Sequence, residues 1–246
     1  MSLQFNNVTF GYTNRIVIKN FSAKLTTNSL IAITGDNGSG KSTLLKTIAR
    51  LIKPISGKIT KLTKSRIAYL GQYCDIDRTF PADVETLVKM GLWSFCGLWK
   101  SQRSYQYKIQ NALEVVGLAA LAHRSLNTLS NGQLQRALFA RIIVQDSDII
   151  LLDEPFNGVD LKTQKDLLTL ITHWQQKGRT ILIALHDPFI VQEYFPQMIH
   201  IHKQHAFYGE TTQLLSANNH LVTPSLISNF SMLFHKNKPL RSSNFI

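Results

Sequence analysis

Leu30-Ile31-Ala32-Ile33-Thr34-Gly35-Asp36-Asn37-Gly38-Ser39-Gly40-Lys41-Ser42 is the stretch that decides the fold. Residues 30–34 read as a short buried strand. It runs straight into a glycine-rich turn, and residues 35–42 fit G-x-x-x-x-G-K-[ST] in full. From Lys41 to Leu51 apolar residues recur at helical spacing, and Pro54 stops the run. Strand, glycine turn and helix in this order make a phosphate cradle. Glycines let successive backbone N–H groups turn inward around anionic oxygens, and the following helix aims its N-terminal dipole at the same anion. Gly35, Asp36, Asn37, Gly38, Ser39 and Gly40 form the loop. Lys41 is expected to reach the β- and γ-phosphates of a nucleotide, Ser42 to ligate Mg²⁺, and Thr43 to support the phosphate shell.

A second apolar run, at 149–152, ends in Asp153 and Glu154. A strand that buries its length and presents carboxylates at its C-terminal end belongs beside a nucleotide at the sheet edge. Asp153 is expected to hold Mg²⁺, directly or through water. Glu154 is expected to act as general base on the attacking water. A third run, at 180–185, is separated from the second by a helix-period segment at 161–177, which makes a βαβ unit.

Around these elements, residues 3–10 and 16–25 read as strands, and 58–70 as two short strands ending in Ile67-Ala68-Tyr69-Leu70. Residues 74–146 read as mostly helical, with clustered aromatics. Residues 197–209 read as an edge hairpin, and the Asn-, Ser- and Lys-rich stretch after 218 as a partly mobile tail. The expectation is one α/β domain over 1–218 with a helical insertion at about 74–146, followed by a tail at 219–246.

The chain has 246 residues, 44% of them hydrophobic, enough for one large core. Its formal charge of +12 admits nucleic acid, anionic ligands or an anionic membrane surface as partners and does not choose among them. Cys74 and Cys96 have no CxxC neighbour, which argues against a zinc ribbon or redox motif. The first residues show no signal-peptide pattern. The longest apolar-looking stretch, 90–99, falls far short of the ~20 residues of a spanning helix, so a link to a membrane is expected to run through a partner.

Between the cradle and the carboxylates stands Leu129-Ser130-Asn131-Gly132-Gln133-Leu134-Gln135-Arg136, which resembles the LSGGQ signature of the ATP-binding cassette (ABC) family, with Asn131 where the pair of glycines begins. Other family marks follow in order. Tyr12 after Phe10-Gly11 is similar to the A-loop aromatic, Gln72 to the Q-loop glutamine, Asn157-Gly158-Val159-Asp160 to the D-loop, and His186 to the switch histidine. The resemblance implies a P-loop NTPase fold: a RecA-like core sheet with an antiparallel β subdomain and an inserted helical subdomain. It also implies a mechanism. Two copies sandwich two ATP molecules, with Tyr12 stacking on adenine. Ser130, Gly132 and Gln133 of one copy meet the γ-phosphate held by Lys41 of the other. Gln72 senses Mg²⁺ and water, His186 holds the attacking water with Glu154, and Asp160 couples the two sites. An Asn131 side chain clashes if the backbone there requires positive φ, although Asn tolerates that region better than most residues.

Asp77-Arg78-Thr79-Phe80-Pro81-Ala82-Asp83-Val84, Met90-Gly91 and Phe156 before the D-loop resemble the branch of that family that imports manganese, zinc or iron. The branch implies a homodimer of cassettes docked on integral-membrane permease subunits at the cytoplasmic face of the membrane, with an extracytoplasmic substrate-binding protein in the complex. Phe80, Trp93, Phe95 and Trp99 suit either a permease-docking surface or the insertion's own core. A nucleic-acid-associated ATPase of the same family is the alternative. The compact spacing from Gln72 to Ser130 leaves no room for a long coiled coil, and no nucleic acid is expected. His200, His202 and His205 are open to a metal-site reading, but no carboxylate or cysteine clusters with them in sequence, and a hairpin surface is the expectation.

Overall fold

The apolar run at 30–34 becomes an interior strand of a six-stranded sheet. The structure is a computed structural model and describes residues 3–61, 65–72, 81–93 and 105–218. Its strands are β1 (Leu3–Tyr12), β2 (Arg15–Leu25), β3 (Leu30–Gly35), β4 (Ser56–Lys61), β5 (Ile67–Leu70), β6 (Ile149–Asp153), β7 (Thr180–Ala184), β8 (Gln197–His202) and β9 (His205–Glu210). Its helices are α1 (Lys41–Ile48), α2 (Val84–Lys89), α3 (Gln106–Val115), α4 (Asn131–Gln145), α5 (Leu161–Gln176), α6 (Pro188–Tyr194) and α7 (Thr211–Asn218). The large sheet runs β5-β6-β7-β3-β8-β9 and is parallel except for β9. A smaller antiparallel sheet runs β2-β1-β4.

The continuous apolar strands are buried on both faces, and alternate residues enter two different cores. Leu30, Ala32, Ile150, Leu152, Ile181 and Ile183 join the cluster built with α2, α3, α4 and α5. Ile31, Ile33, Ile149, Leu151, Leu182 and Ala184 join the cluster built with α1 and the antiparallel sheet. The tilted rings of Phe5, Phe10 and Phe21, with centroids 5.2–6.2 Å apart, belong to this second cluster.

Three local features refine the sequence reading. The first helix stops at Ile48, not Leu51. Arg50 takes φ +63°, and the Leu51 N–H turns back to the Lys46 carbonyl at 2.9 Å, closing the helix before Pro54 is reached. The segment 197–209 is only half an edge. β8 pairs in parallel with β3 through Thr34↔His200, and only β9 is peripheral, because Met198, Ile199 and Ile201 are buried in the sheet. Met90-Gly91 has a packing reason. A Cβ on Gly91 would lie 2.5 Å from the Arg141 carbonyl oxygen, so the short 3₁₀ turn Met90–Leu92 can press on α4 only with glycine there. Trp93 follows that turn and is exposed. Cys74, residues 77–80, Phe95, Cys96, Trp99 and the 219–246 tail lie outside the described residues.

Candidate functional site: a phosphate cradle and a carboxylate pair

β3 ends at Gly35, and the loop folds on itself through a Ser39 N–H to Asp36 carbonyl bond of 3.0 Å. Gly40 adopts φ +111°, and a Cβ there would fall 2.1 Å from Val17 Cγ1, so glycine is what lets β2 close over the loop. Lys41 opens α1 and is only 4% exposed. Its Nζ donates to the carbonyls of Gly35 at 2.8 Å and Asp36 at 3.1 Å. Burial pulls its pKa below the ordinary lysine value, while Glu154, Asp153 and Asp36 oppose the shift. Ser39 Oγ is buried with no hydrogen-bond partner. An unsatisfied hydroxyl in a ring of turn-forming backbone fits an oxyanion ligand.

Asp153, at the end of β6, is 1% exposed. Its Oδ1 accepts from Ser42 Oγ at 3.0 Å and its Oδ2 from Tyr69 Oη at 3.2 Å. Burial raises its pKa, against these two hydrogen bonds. A buried carboxylate beside a serine hydroxyl is a hard-oxygen pair of the kind Mg²⁺ takes. Glu154 turns away into φ +51°. Two contacts hold it there: Oε2 accepts from Asn157 Nδ2 at 2.7 Å, and Oε1 is hydrogen-bonded to His186 Nε2. His186 is placed by β7, whose next residue, Leu185, donates its N–H to Ile33 of β3 at 3.0 Å.

Tyr12, Arg15, Val17, Gly38, Gly40, Lys41, Ser42, Thr43, Gln72 and Glu154 line one cleft of about 230 Å³. Asp36, Asn37 and Ser39 lie on the other side of the loop, along a second cleft that Arg15 also borders. The structure therefore gathers the expected cradle, carboxylate, Gln72 and Tyr12 positions. It also adds Arg15, Tyr69 and the Glu154-binding role of Asn157, none of which the sequence reading singled out. Tyr69 lay in a recognised strand, but its approach to Asp153 depends on the β5–β6 pairing.

Ser130, Gly132, Gln133 and Asp160 are not among the lining residues of this cleft. They form a separate cluster. Ser130 caps α4 with a reciprocal pair of bonds: Gln133 N–H to Ser130 Oγ at 3.2 Å, and Ser130 N–H to Gln133 Oε1 at 3.0 Å. Asp160 caps α5, accepting from the N–H and Oγ1 of Thr163, both at 2.9 Å; these bonds hold its carboxyl below the usual range. A Cβ built on Gly132 would be 3.2 Å from Thr163 Oγ1. Asn131 is the first residue of α4, in helical backbone, so the positive φ that would have made its side chain clash is not required.

His200 Nδ1 lies 3.0 Å from Thr34 Oγ1, and its ring stacks on His202 at 6.4 Å. Burial, then the neighbouring His202, lowers the His200 pKa, while Asp36 opposes. Among the described residues no group of three His, Cys, Asp or Glu side chains is placed to hold a metal.

A sequence profile described as ABC transporter matches residues 18–157. The chain belongs to the ABC transporter family. It is 34% identical over 224 residues to the manganese transport system ATP-binding protein MntB of Bacillus subtilis (strain 168), covering 88% of this chain and 90% of that protein. It is 34% identical over 205 residues to the zinc transport system ATP-binding protein TroB of Treponema pallidum (strain Nichols), covering 80% and 77%. A structure described as a metal-chelate type ABC transporter in an inward-facing conformation matches with a TM-score of 0.79 and 30% identity, over 87% of this chain and 85% of that one. This ABC protein is the ATP-binding and ATP-hydrolysing subunit of a transporter. Among the described residues no helix is long and apolar enough to cross a membrane.

Proposed function

We propose that this subunit drives import of a divalent metal ion, zinc or manganese, by hydrolysing ATP between two copies of itself. The observation that carries the catalytic part is Glu154, aimed by His186 and Asn157 while it shares a cleft with Lys41, Ser42 and Gln72. The MntB and TroB likenesses support the cargo class.

The loop residues Gly35 to Gly40 and Thr43 hold the phosphates. Lys41 exchanges its two carbonyl partners for phosphate oxygens. Ser42 and Asp153, with Gln72 lining the same cleft, would hold Mg²⁺, which would supply positive charge against the phosphate oxygens. Glu154 accepts a proton from the attacking water, and His186 keeps that carboxylate pointed at it. Tyr12 stacks on the adenine. The signature cluster, lying off the cleft of its own chain, supplies Ser130, Gly132 and Gln133 to the partner's nucleotide, and Asp160 joins the two sites. Residues 1–218 act as one cassette, peripheral at the cytoplasmic face of the membrane through the permease. A substrate-binding protein delivers the metal from outside.

The test is hydrolysis and metal uptake by the complex reconstituted with its permease in lipid vesicles. ATP-dependent uptake of Mn²⁺ or Zn²⁺ is expected, and Glu154→Gln should abolish it while ATP still binds. Uptake that continues undiminished in the Glu154→Gln complex would overturn the catalytic assignment. Robust ATP hydrolysis with neither metal moved would overturn the cargo.

A further inference from the structure

The cleft holds a second cation besides Lys41. Lys41 is already surrounded by Glu154, Asp153 and Asp36, and its ammonium is bound by two carbonyls. The Arg15 side chain is exposed and has no hydrogen bond or ion pair among the described residues, yet it lines the cleft beside Gly38, Gly40 and Tyr12.

Its position is built rather than incidental. β1 and β2 pair Phe10 with Ile18, then Gly11 with Ile16 and Tyr12 with Arg15. The shift in register leaves Val17 as an extra residue in β2. Such bulges bend a strand and re-aim its side chains, and they recur next to binding sites. Here the bulged Val17 packs into the space left by Gly40, which anchors the hairpin to the cradle. Tyr12 and Arg15 are directly opposite each other, so their side chains share a face of the hairpin. Both line the cleft, at its end beside the antiparallel sheet.

We propose that Arg15 is a nucleotide-binding residue whose guanidinium donates to the ribose–α-phosphate segment common to ATP and ADP. The inference rests on the nucleotide-site reading above and adds a contact to it. Tyr12 takes the base and Lys41 the terminal phosphates, so an arginine opposite Tyr12 faces the part of the ligand between them. A guanidinium presents several donors in a rigid plane suited to phosphate oxygens. A charge-assisted bond of this kind, lost, weakens binding roughly 10-fold or somewhat more.

The test is titration of the full chain with ATP and with ADP, for the wild type, R15Q, R15E and K41A. R15Q should weaken both nucleotides by the same factor, roughly 10-fold, and R15E should weaken both further. Arg15 is exposed, so thermal unfolding of R15Q without nucleotide should match the wild type. Wild-type affinity in R15Q and R15E overturns the proposal. So does a loss confined to ATP, which would place the contact on the γ-phosphate. K41A separates the two readings. Weakened binding in K41A with R15Q unchanged removes Arg15 and leaves the site. A wild-type chain that binds neither nucleotide removes the site, and Arg15's ligand with it.

Discussion

Asp153 is the most confined charge in the site, and the fold holds it against a desolvation penalty that its two hydrogen bonds only partly offset. A carboxyl with a raised folded pKa contributes stability that is fully present below its ordinary value of 3.8 and is lost as pH rises through the raised value. Asp153→Asn should therefore raise the melting temperature of the nucleotide-free protein at neutral pH. The gain should vanish as pH falls below the ordinary value, as calorimetry across pH will show. Glu154 and Asn157 separate chemistry from aim. Glu154→Gln should cut hydrolysis at least ~100-fold, whereas Asn157→Ala should lower kcat about 10-fold with KM little changed, the loss of one orienting bond. Lys41, Ser42, Asp153 and Glu154 were legible in the sequence because their chemistry demands fixed spacing from a strand end. Arg15, Tyr69 and the partner role of Asn157 were not. They reach the site through a bulge, a parallel register and a turn, and side-chain identity encodes none of these locally.

Among the elements, α4 shows most directly how one local motif serves two ends. Its capping box satisfies donors at the helix start while keeping Ser130 and Gln133 at the surface cluster with Asp160. Ser130→Ala should cost about 1 kcal/mol of stability by removing the cap, read as a lowered midpoint in urea. Asn131→Gly should cost only about 0.3 kcal/mol, because asparagine is already a weak helix former and the position is the first of the helix, and should leave hydrolysis unchanged, since Asn131 already adopts the helical backbone. Long, continuous apolar strands were readable as buried. The order in which they pair was not, which is why 197–209 read as an edge: His200 and His202 look solvent-seeking in sequence, while Met198, Ile199 and Ile201 secure β8 next to β3.

At the scale of the whole molecule, the cradle cleft and the signature cluster are separate surfaces of one chain. The Glu154→Gln protein should therefore form a dimer with ATP, measurable by light scattering, and Ser130→Phe added to it should return the protein to monomer while ATP still binds. The two halves of the cleft also stand on β3 and β6, which never touch; β7 lies between them. β7 spans Thr180–Ala184, long after both have been made. During synthesis at roughly 5–20 residues per second, a nascent chain thus carries its lysine loop and its carboxylates for several seconds with no strand to hold them side by side. The newborn protein becomes competent to grip fuel only when a late stretch leaves the ribosome and slots between two earlier ones. A chain cut short before that strand would keep every phosphate and carboxylate motif and still lack the piece that assembles them.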